Sequence, residues 1–203
     1  MLGVINYGSG NFRSVINILN FLKINFREIK SEKALKDFSH IILPGVGSYR
    51  SLHQRLIELN LVNELKYQVL DKKKFFLGIC VGMQILSSYG NEGKESEGLN
   101  IIEGLVEKIP VKKSQLPNIG WHKVELVNKE SKLFQNISED ERFFYFVHSY
   151  YFNLKDKGLC SSKITYDIEV TSSIEKDNIY GVQFHPEKSQ SAGCKLLQNF
   201  YKL

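Results

Sequence analysis

Apolar positions in the first half of the chain follow two alternating patterns. Residues 2–6 open with a short apolar run that reads as a buried strand, after which Phe12, Val15, Ile16, Leu19 and Leu22 recur on one helical face. Ile41-Ile42-Leu43 is a second apolar run, ended by Pro44-Gly45. Leu52, Leu56 and Leu59, then Val62, Leu65 and Val69, make helical stripes. Residues 75–79 read as the next strand, with Met83, Ile85 and Leu86 on a helix after it. Strand and helix in alternation predict a parallel sheet covered on both faces. A polar stretch rich in Glu and Gly lies between Gly90 and Gly104, and the pattern then changes. Residues 124–127, 143–147, 168–174 and 179–184 are short and β-rich, which predicts mixed or antiparallel pairing. Leu196, Leu197, Phe200 and Tyr201 give one face of a closing helix. The expectation is a single α/β domain over residues 1–203. Its core is a central, mostly parallel sheet with flanking helices, and it carries an additional mixed or antiparallel β portion.

Composition narrows the class without adding chemistry. With 203 residues, 42% of them hydrophobic, the chain can bury a core without disulfides or a structural metal. Four Pro and fifteen Gly exclude collagen-like and low-complexity readings. No run approaches the roughly 18 apolar residues of a membrane span, so no membrane association is expected. The apolar residues 1–5 lead into Asn6-Tyr7-Gly8-Ser9-Gly10, a strand and its loop and not a signal peptide. Cys80, Cys160 and Cys194 are an odd, scattered set with no metal spacing. Free thiols in a reducing cytosol, with no metal and no cofactor, are expected. A net charge of +5 allows an acidic partner, but Lys72-Lys73-Lys74 reads as a solvated strand entrance. No basic stripe is interleaved with aromatics, so nucleic acid is not an expected partner.

Candidate chemistry begins at Gly78-Ile79-Cys80-Val81-Gly82, where an apolar strand gives way to a helix. This is the spacing of the G-x-S-x-G nucleophile elbow with sulfur in place of oxygen. Both glycines keep bulk away from a sharp turn. Helix-terminal N–H groups favour negative charge on the attacking sulfur, and the Val81 N–H can face the oxyanion. Gln84, four residues on, shares a helix face with Cys80. The bland alternative is a small buried core cysteine. In Gly181-Val182-Gln183-Phe184-His185-Pro186-Glu187-Lys188, His185 and Glu187 stand two residues apart in an extended segment and face the same way. His185 can serve as base and acid while Glu187 orients its ring. Cys80, His185 and Glu187 together suggest a nucleophile-first triad. Leu43-Pro44-Gly45-Val46-Gly47-Ser48 leaves a different strand, and its backbone around Val46 and Gly47 suits an oxyanion hole; an ordinary strand-to-helix turn is the alternative.

These segments, with Tyr7-Gly8-Ser9-Gly10-Asn11, Pro117, Gly120-Trp121 and residues 145–150, resemble the class I glutamine amidotransferases. More narrowly, they resemble the glutaminase subunits of imidazole glycerol phosphate synthase. The resemblance implies the class I amidotransferase fold and attack by Cys80 on the side-chain amide of glutamine. His185 would protonate the departing ammonia, and a γ-glutamyl thioester would then be hydrolysed. It implies that Gln84, Glu92 and backbone groups near His148 and Ser149 hold the substrate, with Glu95 and Glu97 as competitors of Glu92 for the substrate ammonium. It further implies a heterodimer with a (β/α)₈-barrel cyclase that receives the ammonia and makes imidazole glycerol phosphate and a purine precursor. Asn11, Trp121, Tyr145 and Lys188 would lie at or near that interface, with core packing as the alternative for Trp121 and Tyr145. His148 is expected to be structural and not a second base.

Gly45 and Gly47 flank Val46, so the intervening peptide is expected to turn over when the partner binds its ligand. One departure concerns the docking segment. Asn118 stands where the family commonly has His, and His122 where it commonly has Asn. That leaves open a paralogous partner in surface-sugar amidation. A stand-alone Cys–His–Glu hydrolase and a silent interaction subunit are the remaining alternatives.

Overall fold

The computed structural model describes residues 1–8 and 10–203; Ser9, part of the motif before Asn11, lies outside the described residues. Strand β1 (Leu2–Ile5) leads into helix α1 (Phe12–Phe21), and β2 (Phe26–Ile29) and β3 (His40–Gly45) follow. Helices α2 (Tyr49–Glu58) and α3 (Leu61–Lys66) precede β4 (Phe75–Cys80), which turns into α4 (Val81–Gln84). Short strands β5 (Tyr89–Gly90), β6 (Ser96–Glu97) and β7 (Gly104–Lys108) come next, with β8 (Asn118–Lys123) and β9 (Glu125–Leu126). The chain ends with β10 (Phe143–His148), β11 (Tyr150–Leu154), β12 (Cys160–Tyr166), β13 (Ile168–Lys176), β14 (Ile179–Val182) and α5 (Gln190–Tyr201).

Among the described residues the main sheet has eight strands in the order β2-β1-β3-β4-β14-β13-β12-β9. Pairing is parallel from β2 through β14 and antiparallel beyond it. The predicted change of character along the chain is thus partly a change of strand direction within this sheet, and partly two smaller sheets, β10-β8 and β11-β7-β5-β6. β1 and β14 are buried along their whole length, as continuous apolar strands covered on both faces must be. Apolar residues from both halves, from Val15 to Phe200, join in the core.

Some elements escaped the pattern. β2 is the edge strand Phe-Arg-Glu-Ile, whose exposed Arg27 discourages pairing with another chain but hides the strand signal. The polar residues 90–104 hold β6 and part of β5, which pair with each other, and β5 also pairs with β7. The helix expected through Leu86 ends at Gln84.

The ends of β3 and β4 meet α4 in backbone contact. A Cβ added at Gly82 would stand 2.1 Å from the Leu43 carbonyl oxygen, and one at Gly78 would stand 2.2 Å from that of Gly82. Only glycine permits this approach, and it brings the Pro44-Gly45-Val46 loop up to the elbow.

The antiparallel pair β8–β10 places Trp121 opposite Tyr145 and Ile119 opposite Val147. Alternation divides this ribbon into two faces. Asn118, Phe144, Phe146 and His148 are buried, whereas Ile119, Trp121 and Phe143 are exposed.

Candidate active site

Cys80 ends β4 at φ +54° and ψ −112°, a conformation that costs a non-glycine residue about 1–3 kcal/mol. The surrounding glycine contacts hold it there. The residue is 4% exposed. α4 is a single turn, so the expected help to the sulfur from a helix dipole reduces to the first local amides.

His185 follows β14, and its main-chain N–H donates to the Tyr145 carbonyl at 2.9 Å. Nδ1 donates to Glu187 Oε1 at 2.7 Å, with both side chains buried. Burial opposes charge on this imidazole, but Cys80 and Glu187 outweigh it and hold the pKa well above the usual histidine range. Nε2, the nitrogen left for chemistry, is buried and faces the Cys80 sulfur.

Asn11, expected at or near the interface, also has a place beside the triad. Asn11 is 4% exposed, and its amide donates to Glu187 Oε1 at 2.8 Å. The residue therefore helps to orient the Glu187 carboxylate. Position 11 precedes α1, so the turn after β1 aims the amide inward.

A cavity of about 360 Å³ opens over Cys80 and His185. Its walls include Val46, Gly47, Val81, Gln84, Glu92, His148 and Ser149, together with Pro117 and Tyr150, which the sequence reading did not assign. Glu92 Oε2 accepts the Tyr49 N–H at 2.7 Å, at the start of α2. Glu95 and Glu97 are exposed and do not line the cavity. Gln84 Nε2 donates to the Tyr150 carbonyl and to Gln183 Oε1, each at 2.9 Å. The Val46 N–H is engaged by Tyr7 Oη at 3.3 Å. Gly47 has φ +95° with open space where a Cβ would stand, while Gly45 is required by its close contact with Gly82.

His148 donates from Nδ1 to the Tyr150 carbonyl at 2.8 Å and accepts from Asn118 Nδ2 at 3.1 Å. Asn118 Oδ1 in turn accepts from His122 Nε2 at 2.7 Å. Burial lowers the His148 pKa to about 4, so at neutral pH the ring is an uncharged strut. Asn118 and His122 bond to each other, so the exchange of these two residue types still leaves a bonded pair at these positions.

Trp121 is 44% exposed and meets Tyr145 edge-on at 6.0 Å, and Lys188 Nζ lies 5.6 Å from the Tyr145 ring centre. Three of the four side chains expected at the interface thus form one cluster beside the open face of β8–β10. The sequence reading missed Tyr7, Asn118 and Gln183 as contributors. Gln183 had a signal: an amide inside an otherwise apolar strand end. Among the described residues, no group of three or more His, Cys, Asp or Glu side chains could hold a metal ion, and no helix is long and apolar enough to cross a membrane.

The glutamine amidotransferase class-I family matches residues 4–203. The chain is 41% identical to the imidazole glycerol phosphate synthase subunit HisH of Leptospira borgpetersenii, over 100% of both sequences. It is 42% identical to subunit HisH 1 of Campylobacter jejuni strain RM1221, again over 100% of both. Among solved structures, PurLQS from Thermotoga maritima matches with a TM-score of 0.76 at 19% identity, covering 99% of this chain and 97% of that one, a likeness of fold. The chain belongs to the class-I glutamine amidotransferase family, in its HisH branch.

Proposed function

We propose that the chain is a glutaminase subunit that supplies ammonia to the (β/α)₈-barrel cyclase of imidazole glycerol phosphate synthase. The observation carrying this reading is the buried Glu187–His185 pair beside a strained Cys80, all at one end of a glutamine-sized cavity. Cys80 Sγ attacks the side-chain carbonyl carbon of glutamine. His185 Nε2 gives its proton to the leaving nitrogen as the C–N bond breaks, which yields ammonia and a γ-glutamyl thioester. Water then attacks the thioester carbon and gives a proton to His185, and the C–S bond breaks to release glutamate. The raised pKa of His185 suits the first half-reaction, because the ring holds the proton that the ammonia needs. Val81 and the loop at Val46 and Gly47 stabilise the oxyanion, Glu92 meets the substrate ammonium, and Gln84, His148 and Ser149 line the remaining wall.

The open face with Trp121, Tyr145 and Lys188 docks the cyclase. Aromatic residues around one cation are favoured interface anchors. The test is glutamate release measured with and without the histidine-pathway cyclase carrying its ribonucleotide. A large rise on addition is expected. No rise, with Cys80 still alkylated by a glutamine-mimicking electrophile, would reassign the partner to a surface-sugar synthase.

The engagement of the Val46 N–H by Tyr7 supports a resting state in which that amide is withheld from the oxyanion. Tyr7→Phe keeps the ring and removes the acceptor. Glutamate release by the lone subunit should rise about fivefold, the worth of one neutral hydrogen bond. An unchanged basal rate would end this account of the resting state.

A further inference from the structure

Gln183 is fully buried just after β14, yet it does not line the substrate cavity. Its main-chain N–H is already satisfied, since it donates to the Ser172 carbonyl at 2.8 Å. A buried carboxamide in such a place is costly unless both of its ends are bonded. One end meets Gln84, and the other lies 3.6 Å from Cys80 Sγ.

The direction of that second contact is fixed by the surroundings. The Tyr150 carbonyl can only accept, so the Gln84 end facing it is the amide nitrogen. The same nitrogen meets Gln183, which must therefore present its oxygen there. The Gln183 nitrogen is left facing the sulfur. Reversing Gln183 would set two NH₂ groups against each other and aim an oxygen at the nucleophile. His148, bonded to the same Tyr150 carbonyl, holds the chain of contacts from its far end.

We propose that Gln183 is a positioning residue for Cys80: its Nε2–H donates to Sγ, and Gln84 with the Tyr150 carbonyl fixes that polarity. The inference rests on the glutaminase reading above and assigns a residue which that mechanism leaves idle. The bond aims the sulfur toward the cavity. It also stabilises negative charge on sulfur at two moments, before attack and when the thioester expels it. A hydrogen bond to a charged acceptor is worth more than one between neutral groups.

The test uses the full chain with Gln183→Met, which keeps length and removes the donor. Hydrogen bonds to charged groups predict a fall in kcat for glutamate release of about tenfold to a hundredfold. KM should stay within about twofold, because Gln183 does not line the substrate cavity and acts on the sulfur alone. Alkylation of Cys80 by iodoacetamide, which needs neither glutamine nor a partner, should slow in parallel. Gln183→Glu, equal in shape, still accepts from Gln84 but turns an oxygen toward the sulfur. It should alkylate more slowly still, and its result decides the matter if the Met variant fails to fold.

Wild-type rates of alkylation and kcat in either folded variant would overturn the proposal, as would a change confined to KM. A wild-type chain that is alkylated at Cys80 but releases no glutamate with any partner would instead defeat the glutaminase reading. The iodoacetamide comparison would still report on Gln183 in that case.

Discussion

Cys80→Ala is expected to drop glutamate release by about 10⁴-fold or more, as loss of a nucleophile does in enzymes whose catalytic groups act as a unit. No neighbouring group replaces it. The other cysteines, Cys160 and Cys194, do not line the cavity. Alanine meets the same backbone strain at φ +54° as cysteine does, so the fold should persist with a thermal midpoint close to that of the native chain. The variant also removes the main attraction that keeps His185 protonated against its burial. The imidazole pKa should therefore fall, which is measurable by NMR titration of the ring. Glutamate release within tenfold of the native rate would dismiss Cys80 as the nucleophile.

Gly82→Ala is the substitution expected to harm the structure most. The new Cβ would lie 2.1 Å from the Leu43 carbonyl oxygen and 3.1 Å from its carbon. Both are main-chain atoms of β3, and β3 is held by β1 on one side and β4 on the other. No side chain can rotate to make room, so the whole end of β3 has to shift. Overpacking against a rigid neighbour costs about 3 kcal/mol or more, a large part of the about 5–15 kcal/mol that holds a domain together. Urea unfolding should show the midpoint displaced accordingly. A control at Gly10, where an added Cβ meets nothing within 4 Å, should stay near the native value. A native midpoint for Gly82→Ala would mean that the elbow is looser than its contacts imply.

The parallel half of the fold was readable in the sequence because strands buried on both faces are uninterrupted apolar runs. β1, β3 and β4 announce themselves in this way. β2 does not, since an edge strand needs only one inward side chain, and Ile29 is its sole fully buried residue. The ribbon β8–β10 was half visible: the aromatic β10 stood out, while Asn118, Gly120 and His122 gave β8 the look of a loop. Within the site, Cys80, His185 and Glu187 sit in compact motifs with their own spacing. The bond between Asn11 and Glu187 was not legible, because it spans 176 residues and no local pattern records a contact of that length. The role of Gln183 is not legible from its motif, since it depends on the direction of a carboxamide that only the Tyr150 carbonyl determines.

The placement of β14 beside β4 also fixes when reactivity can first appear. β3 and β4 precede β14 in the chain by about a hundred residues or more, yet β14 lies between β4 and β13 in the sheet. Until β14 is in place, Cys80 has neither the imidazole nor the amide of Gln183, which lies 103 residues further along. A chain whose synthesis has not reached β14 therefore has a sulfur but no base, and it releases no ammonia. Strand order works here as a clock: the last parallel strand to be translated is the one that switches the chemistry on.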